Sequence, residues 1–548
     1  MKNITISFVF AFAMLLAGYS QSVVKIVTCV QLDPLQKVFT EDSCFVEISD
    51  TAAVAKGETT TFQFVIKSSY PIKELKVEAG NLINGKNKIF VTKKAFVGYE
   101  LAKNYTRHPS KDAVRPVSNL FPDPLIDMES MDVDPVSNQP VWIEYAIPHD
   151  AASGNYSATL VFTGKVNGKK FKVTKKVNAK VYPVTLPEQT LWITNWFIPN
   201  STKMAILNDN QPVKMFSDRF WELLTVHAHV MRDHGQNTYL IGNQGEFYDF
   251  LGELCNFKII DTQFTFDFTN FDKMVELFIR EGGLKRIEGG HIGARTGNWQ
   301  SDFGVFVPKV GIIPFDDVLA QNFLTQFLPA LHSHLKNKGW DKMYIQHVAD
   351  EPFEPNAASY IRLVEFVKSL MPGVPVIDAV MYSKLANSAD IWVPKLDTYH
   401  RDYSFYQERQ AAGNEVWFYT CVEPQGNYAN RFLEQPLIQT RLLHWINYRY
   451  GATGYLHWGF NQWDKPGFPA GDAWIIYPFE GKVYSSMRLA AMRDGIADYE
   501  LLKLLEQKSP EKAKELARTL IKDFNSYDSN IQTFRQTRLK LLKWLSEI

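Results

Sequence analysis

Between Leu186 and Ser485 short apolar runs alternate with long amphipathic stretches, and this alternation constrains the fold more than any other feature of the chain. The runs are LWITNW from Leu191, NTYLIG from Asn237, LKRIEGG from Leu284, KMYIQHVAD from Lys342, VPVIDAV from Val374, KLDTYH from Lys395, EVWFYTC from Glu415 and GYLHWGF from Gly454. Most are separated by segments of helical spacing, such as FSDRFWELLTVHAHVMRDHG and AASYIRLVEFVKSLMPG, several closed by a glycine suited to a helix C-cap. Neighbouring parallel strands need crossover helices, so eight such alternations over roughly 300 residues predict a (β/α)8 barrel. The helices of the fifth and sixth units are the shortest.

Upstream, from about Val23 to Pro187, the rhythm is period-two and rich in β-branched residues, as in TTTFQFVIKSS and KKFKVTKKVNAKVYPV, with NGK and SGN turns between runs. That pattern predicts an antiparallel β-sandwich, with support of the neighbouring domain as its expected role. Downstream of Ser485 the chain is helical and charged, without strand signals. The expected organisation is a leader over residues 1–20, a sandwich over 21–186, a barrel over 187–484 and a helical segment over 485–548 packed on the barrel.

The leader, MKNITISFVFAFAMLLAGYSQS, carries Lys2, an apolar run from Ile4 to Ala17, and the small residues Gly18 and Ser20 before Gln21. It has the form of a secretory signal peptide, so a secreted or periplasmic protein is expected. The run is shorter than the ~20 residues of a spanning helix, and no comparable run follows. Lys plus Arg and Asp plus Glu both number 59, and no basic stripe stands out, which argues against a nucleic-acid partner. Cys29, Cys44, Cys255 and Cys421 lack CxxC spacing; a Cys29–Cys44 bridge is left open.

A barrel of this kind carries its active site at the C-terminal ends of its strands. The first expected strand ends in Asn195 and Trp196, and the third runs into His291 and Arg295. The fourth ends in Asp350 and Glu351, and the sixth in Tyr399 and His400. The seventh passes Tyr419 into Glu423, and the eighth supplies Trp458, Asn461 and Trp463. Carboxylates, aromatic faces and amide or imidazole groups around one mouth suit a sugar, whose C–H faces stack on rings and whose hydroxyls need directed hydrogen bonds. Each residue also has a plainer use: an Asp before a helix is often an N-cap, and strand-end aromatics often pack. His227 and His229 lie two apart in a helical pattern, where side chains do not face one ligand, so no metal site is expected.

Asp350 and Glu351 are the sharpest feature of this set. Glycosidases with two acting carboxylates place them on opposite sides of the scissile bond, which sequence neighbours at one strand end rarely manage. A neighbouring pair suits the substrate-assisted variant, in which one acid protonates the leaving oxygen and the substrate's own 2-acetamido oxygen attacks the anomeric carbon. The second carboxylate then holds the acetamido N–H. Proximity of two like charges favours keeping one of them protonated, as a general acid requires.

Taken together, HVADEP at the fourth strand, HWGFNQW at the eighth and SSMRLAAMRDGIADYELL from Ser485 resemble glycoside hydrolase family 123 and the wider family sharing its catalytic domain. The resemblance implies a sandwich followed by a (β/α)8 barrel, and a β-N-acetylgalactosaminidase that needs no cofactor. It also implies Asp350 as the acetamido-orienting residue and Glu351 as the general acid and base. Trp196, His291, Tyr399, Trp458, Asn461 and Trp463 are the expected substrate contacts. The expected activity is retaining, exo-acting release of terminal β-GalNAc from glycans such as glycosphingolipid oligosaccharides. Two alternatives stay open: a glycosidase for another 2-acetamido sugar or a neutral glycan, and a non-catalytic glycan-binding protein.

Overall fold

The computed structural model describes residues 26–48, 51–114, 120–244, 250–260, 262–385, 388–465, 467–479 and 481–547; the expected leader lies outside them. The N-terminal region is built from two sheets. One runs in the order Val27–Leu32, Thr59–Ser68, Asn138–Ala146, Lys93–Leu101, Leu120–Ile126, all antiparallel. The other centres on the hairpin Gly154–Val166 and Lys169–Thr185, which pairs from Gly154 opposite Val181 to Val166 opposite Lys169. Asn167 and Gly168 make its turn with φ of +49° and +75°, the left-handed pair that matches the twist of a two-residue hairpin. Alternate residues of both sheets, among them Phe62, Phe64, Ile66, Val141, Ile143, Leu160 and Phe162, meet in one apolar core.

Eight short parallel strands follow: Trp192–Asn195, Thr238–Ile241, Arg286–Gly289, Tyr344–Gln346, Ile377–Val380, Ile391–Pro394, Glu415–Thr420 and Gly454–His457. They form a five-stranded sheet (first, eighth, seventh, sixth, fifth) and a three-stranded sheet (second, third, fourth). One isolated parallel bridge, Gln346 to Val376, joins fourth to fifth. Between first and second one backbone bond, Asn237 N–H to Ile193 O at 3.3 Å, is supplemented by a side chain: Asn237 Oδ1 accepts from Ile193 N–H at 2.9 Å, and Asn237 Nδ2 donates to Leu191 O at 3.0 Å. The continuous eight-stranded barrel expected from the sequence is therefore met as two parallel sheets with two seams. Their inward residues, including Ile345, Ile377, Ala379, Val393, Trp417, Tyr419 and Leu456, pack on one another.

Three local expectations are corrected. The sixth strand is Ile391–Pro394, and Leu396–Arg401 is a helix; Lys395, which still bridges to Tyr419, is its N-cap, and Asp397 complements the positive end of the first turn. The fifth and sixth strands are joined with no helix among the described residues. At the C-terminus the helices Met487–Lys508, Pro510–Leu520 and Ile531–Ser546 are interrupted by a small hairpin, Ile521–Asp523 with Ser526–Tyr527, which the charged sequence concealed.

The helices bolt the two regions together. Arg488 reaches Asp123 of the sandwich at 2.8 Å with both side chains fully buried, and Arg535 meets Asp33 at 2.8 Å. Arg538 bridges Asp498 at 2.7 Å and also contacts Glu58. Cys29 and Cys44 are free thiols, one buried and one exposed, so the bridge left open by the sequence is not formed; burial pushes the Cys29 thiol up to about 12.

Candidate active site at the strand ends

The fourth strand delivers its two acids on a strained turn. Glu351 adopts φ of +46°, the left-handed region that a residue with a Cβ enters only when its surroundings hold it there. Arg295 is one such restraint: its Nη2 donates to the carbonyls of Asp350 at 3.0 Å and Glu351 at 3.1 Å. Both acids are half-buried. From the seventh strand the Tyr419 hydroxyl donates to the Glu351 carboxylate. Burial, then the adjoining Glu351, holds the Tyr419 phenol well above its ordinary value, so it remains a donor.

Beneath the turn lies a fully buried ionic triad. His347 Nε2 donates to Glu288 Oε1 at 2.6 Å and Nδ1 donates to Asp378 Oδ1 at 2.9 Å, with no exposure of any of the three side chains. Two carboxylate acceptors require protons on both ring nitrogens. Although burial opposes the charge, the bonds to Asp378 and Glu288 win, and His347 is raised to about 9. Glu288 also accepts from Thr194 at 2.6 Å and Trp196 Nε1 at 2.8 Å. Asp378 accepts from Tyr360 at 2.7 Å and from Val348 N–H at 3.0 Å, directly upstream of the acid pair. The triad thus ties the first, third, fourth and fifth strands below the site.

His291, His347 and Asp378 have ligand atoms close enough to suggest a cation site. Both nitrogens of His347 are already spent on carboxylates, so a cation there would have to displace a proton the site holds firmly. His227 turns its Nδ1 to Leu223 O at 2.9 Å and His229 its Nε2 to Glu281 at 2.8 Å, so the two rings serve different neighbours.

The remaining expected contacts divide sharply. Trp196 and His291 are 3% and 1% exposed and pack edge-on at 5.4 Å beside His347; they form the floor rather than the wall. Burial and then the charge of His347 hold His291 well below its ordinary value, hence neutral. Tyr399 is fully buried on the helix after the sixth strand, its hydroxyl donating to Tyr450 O at 2.7 Å, and it faces no mouth. Asn461 is also fully buried, exchanging hydrogen bonds of 3.0 Å in both directions with the Ile198 backbone. Trp463 packs on the main core and donates to Ile476 O at 2.9 Å. Trp458 is half-buried, packs against the Tyr419 cluster and donates to Asp472, whose carboxyl burial pushes up to about 7. Of the expected contacts Trp458 is the one half-buried ring that packs on the cluster containing Tyr419, the residue that donates to Glu351.

Sequence reasoning missed Glu288 and Asp378. Each is the one acid of its strand, Glu288 in RIEG and Asp378 in IDAV, a charge that burial obliges to find a partner. A separate cavity of about 630 Å³ lies between the sandwich and the C-terminal helices, lined by Asp33, Glu58, Arg535 and Arg538. Those charges are paired with one another, away from the strand ends.

Residues 201–505 match the glycoside hydrolase 123 catalytic domain, and residues 46–164 match the glycoside hydrolase 123 N-terminal domain. The chain belongs to glycoside hydrolase family 123. Its activity is therefore that of a glycoside hydrolase. A family 123 glycoside hydrolase from Clostridium perfringens, described through its hydrolysis of glycolipid glycans, superposes with a TM-score of 0.75 at 19% identity, covering 95% of this chain and 97% of that one. Fainter likenesses include a β-D-glucuronidase from Dictyoglomus thermophilum (TM-score 0.33, 9% identity, 80% of this chain and 66% of that one). Another is a family 20 exo-β-N-acetylglucosaminidase from Vibrio harveyi (TM-score 0.30, 8% identity, 89% and 99%). No curated protein matches the family 123 chain in sequence. No helix among the described residues is long and apolar enough to cross a membrane.

Proposed function

We propose that this family 123 glycoside hydrolase is a retaining, exo-acting β-N-acetylgalactosaminidase that removes terminal β-GalNAc from glycans such as glycosphingolipid oligosaccharides. The observation that carries the reading is the pair of adjacent acids on one turn, with Glu351 in a left-handed conformation and hydrogen-bonded by Tyr419 from across the strand ends. The glycolipid glycan substrate of the Clostridium perfringens relative supports the substrate class. In the same reading the two parallel sheets are the wall of a (β/α)8 barrel, the sandwich is its support, and the leader directs the enzyme to the periplasm or the medium.

Glu351 gives its proton to the glycosidic oxygen as the C1–O bond breaks, and the acetamido carbonyl oxygen of the substrate forms the new bond to C1. Asp350 accepts the acetamido N–H and offsets the positive charge of the oxazolinium ring. A water then attacks C1 from the face the leaving group vacated as the bond from C1 to the acetamido oxygen breaks and the acetamide is re-formed; the water loses its proton to Glu351, restoring the acid and the original anomeric configuration. No protein–sugar bond forms.

The test is a panel of aryl β-glycosides differing only at C2 and C4. The 2-acetamido galactoside should turn over and its 2-hydroxy counterpart should be almost inert. Glu351→Gln should slow substrates with poor leaving groups by about 10²–10⁴-fold and activated aryl substrates far less. Rapid turnover of the 2-hydroxy sugar would refute the mechanism, and preference for the C4 epimer would reassign the sugar.

A further inference from the structure

A tryptophan beside the acid pair is exposed yet rigidly held. Trp299 is 41% exposed, on the connection between the short strands Gly293–Arg295 and Phe303–Val307. That connection is braced from within: Thr296 N–H donates to Asp302 O at 3.0 Å, and Asn298 Oδ1 accepts from Gln300 N–H at 2.9 Å. The Trp299 carbonyl accepts from Arg295 Nε at 3.1 Å and from Asn356 Nδ2 at 3.4 Å. The guanidinium of Arg295 lies 3.6 Å from the centre of the indole ring, so it covers one face. The same guanidinium holds the carbonyls of Asp350 and Glu351. Phe353, two residues beyond Glu351, sets its ring 6.4 Å from that of Trp299 at 30°.

A single exposed aromatic is ordinary on a protein surface. Rigid attachment of its ring to the backbone of the acid pair is not. A pre-ordered indole face loses little conformational freedom when it stacks on a pyranose, and the Arg295 link fixes its distance from the bond to be broken. The terminal sugar must reach the acids themselves, so a more exposed ring on the neighbouring loop, tied to the acid turn through Arg295, is placed to meet the sugar on the other side of the scissile bond.

We propose that Trp299, flanked by Phe353, is a stacking platform for the leaving-group sugar, the hexose to which the terminal 2-acetamido sugar is attached. This rests on the proposed function. It assigns the loop after the third parallel strand to selection of the glycan, separately from the chemistry at Asp350 and Glu351.

The experiment compares two substrates of the whole enzyme: a β-GalNAc-terminated trisaccharide and the 2,2,2-trifluoroethyl β-glycoside of GalNAc, which has no leaving sugar and no aromatic ring. For Trp299→Ala the ratio of kcat/KM for the trisaccharide to that for the trifluoroethyl glycoside should fall about tenfold, the scale of losing one anchoring aromatic. Trp299→Phe should restore most of the ratio, because it returns a ring. An unaltered ratio overturns the platform, whether activity is kept on both substrates or lost equally on both, since equal loss marks a structural prop. A wild-type enzyme that hydrolyses neither substrate shows instead that the parent reading has failed, and the platform falls with it.

Discussion

Replacing Asp378 by Asn preserves shape while removing one charge from the buried triad, and its consequences can be worked from the contacts. Asp378 accepts from His347 at 2.9 Å, Tyr360 at 2.7 Å, and the N–H groups of Val348 at 3.0 Å and Ala349 at 3.4 Å. An asparagine oxygen serves two of these donors at best, and its amide turns two further donors toward the rest. Removing one member of a buried ion pair costs about 3–5 kcal/mol, because the other charge stays buried without compensation. We expect a loss of that order in the free energy of unfolding, read from urea denaturation. The effect has a pH signature. The folded-state value of His347, about 9, lies above its ordinary 6.5, so its stabilisation is fully present below pH 6.5 and is lost as pH rises through about 9. At ~1.4 kcal/mol per pKa unit this is on the order of 3 kcal/mol. The gap between wild type and Asp378→Asn should therefore be widest near pH 6 and narrow toward pH 9.5. As a control, Asp132→Asn, which breaks the exposed pair with Lys73, should leave the transition almost in place. A gap below about 1 kcal/mol at pH 6, or one of equal size at both pH values, would refute an imidazolium clamped by two carboxylates.

Two further variants separate positioning from packing. Tyr419→Phe removes the donor to Glu351 and should lower kcat about 10- to 100-fold with little change in KM, since the bond strengthens as Glu351 gives up its proton and a hydrogen bond to a charged group is worth roughly 1.5–3 kcal/mol; an unchanged kcat would show that the hydroxyl does not hold the acid. Asn461→Ala should cost about 1–3 kcal/mol of stability by orphaning the Ile198 backbone, with KM of the folded enzyme kept; a raised KM at unchanged stability would return Asn461 to the sugar.

The outline of the fold was open to inspection because strand and helix rhythms follow from burial. Parallel strands covered on both faces read as apolar runs, and their crossovers must be amphipathic. The rhythm failed where burial does not set it. KLDTYH alternates as well as a short strand does, yet IWVP just before it fills the sixth position, and the chain turns into a helix at Lys395. Ladder continuity was also hidden, because at the first-to-second junction the Asn237 side chain makes two of the cross-strand bonds beside a single backbone one, and a side-chain amide in a sequence gives no sign of that use.

The acid pair stood out because adjacent like charges are costly to keep without a use, whereas the polar and aromatic residues around it have two uses that look alike in sequence. An amide that could bind a sugar hydroxyl is equally an amide that can stand in for a backbone, as Asn461 does for Ile198. An indole that could stack on a pyranose can instead aim its N–H inward, as Trp196 does toward Glu288. Direction decides between these uses, and at the end of a three- or four-residue strand a shift of one residue reverses it. Of the expected strand-end contacts, Trp196 and His291 went to the buried floor beneath Asp350 and Glu351, and Tyr399, Asn461 and Trp463 to packing and backbone bonds elsewhere. Glycan contacts beyond the first sugar must then come from loops, which carry no periodicity to read. Trp299 is such a residue: only Arg295, which holds its ring and the acid turn together, reveals where it stands.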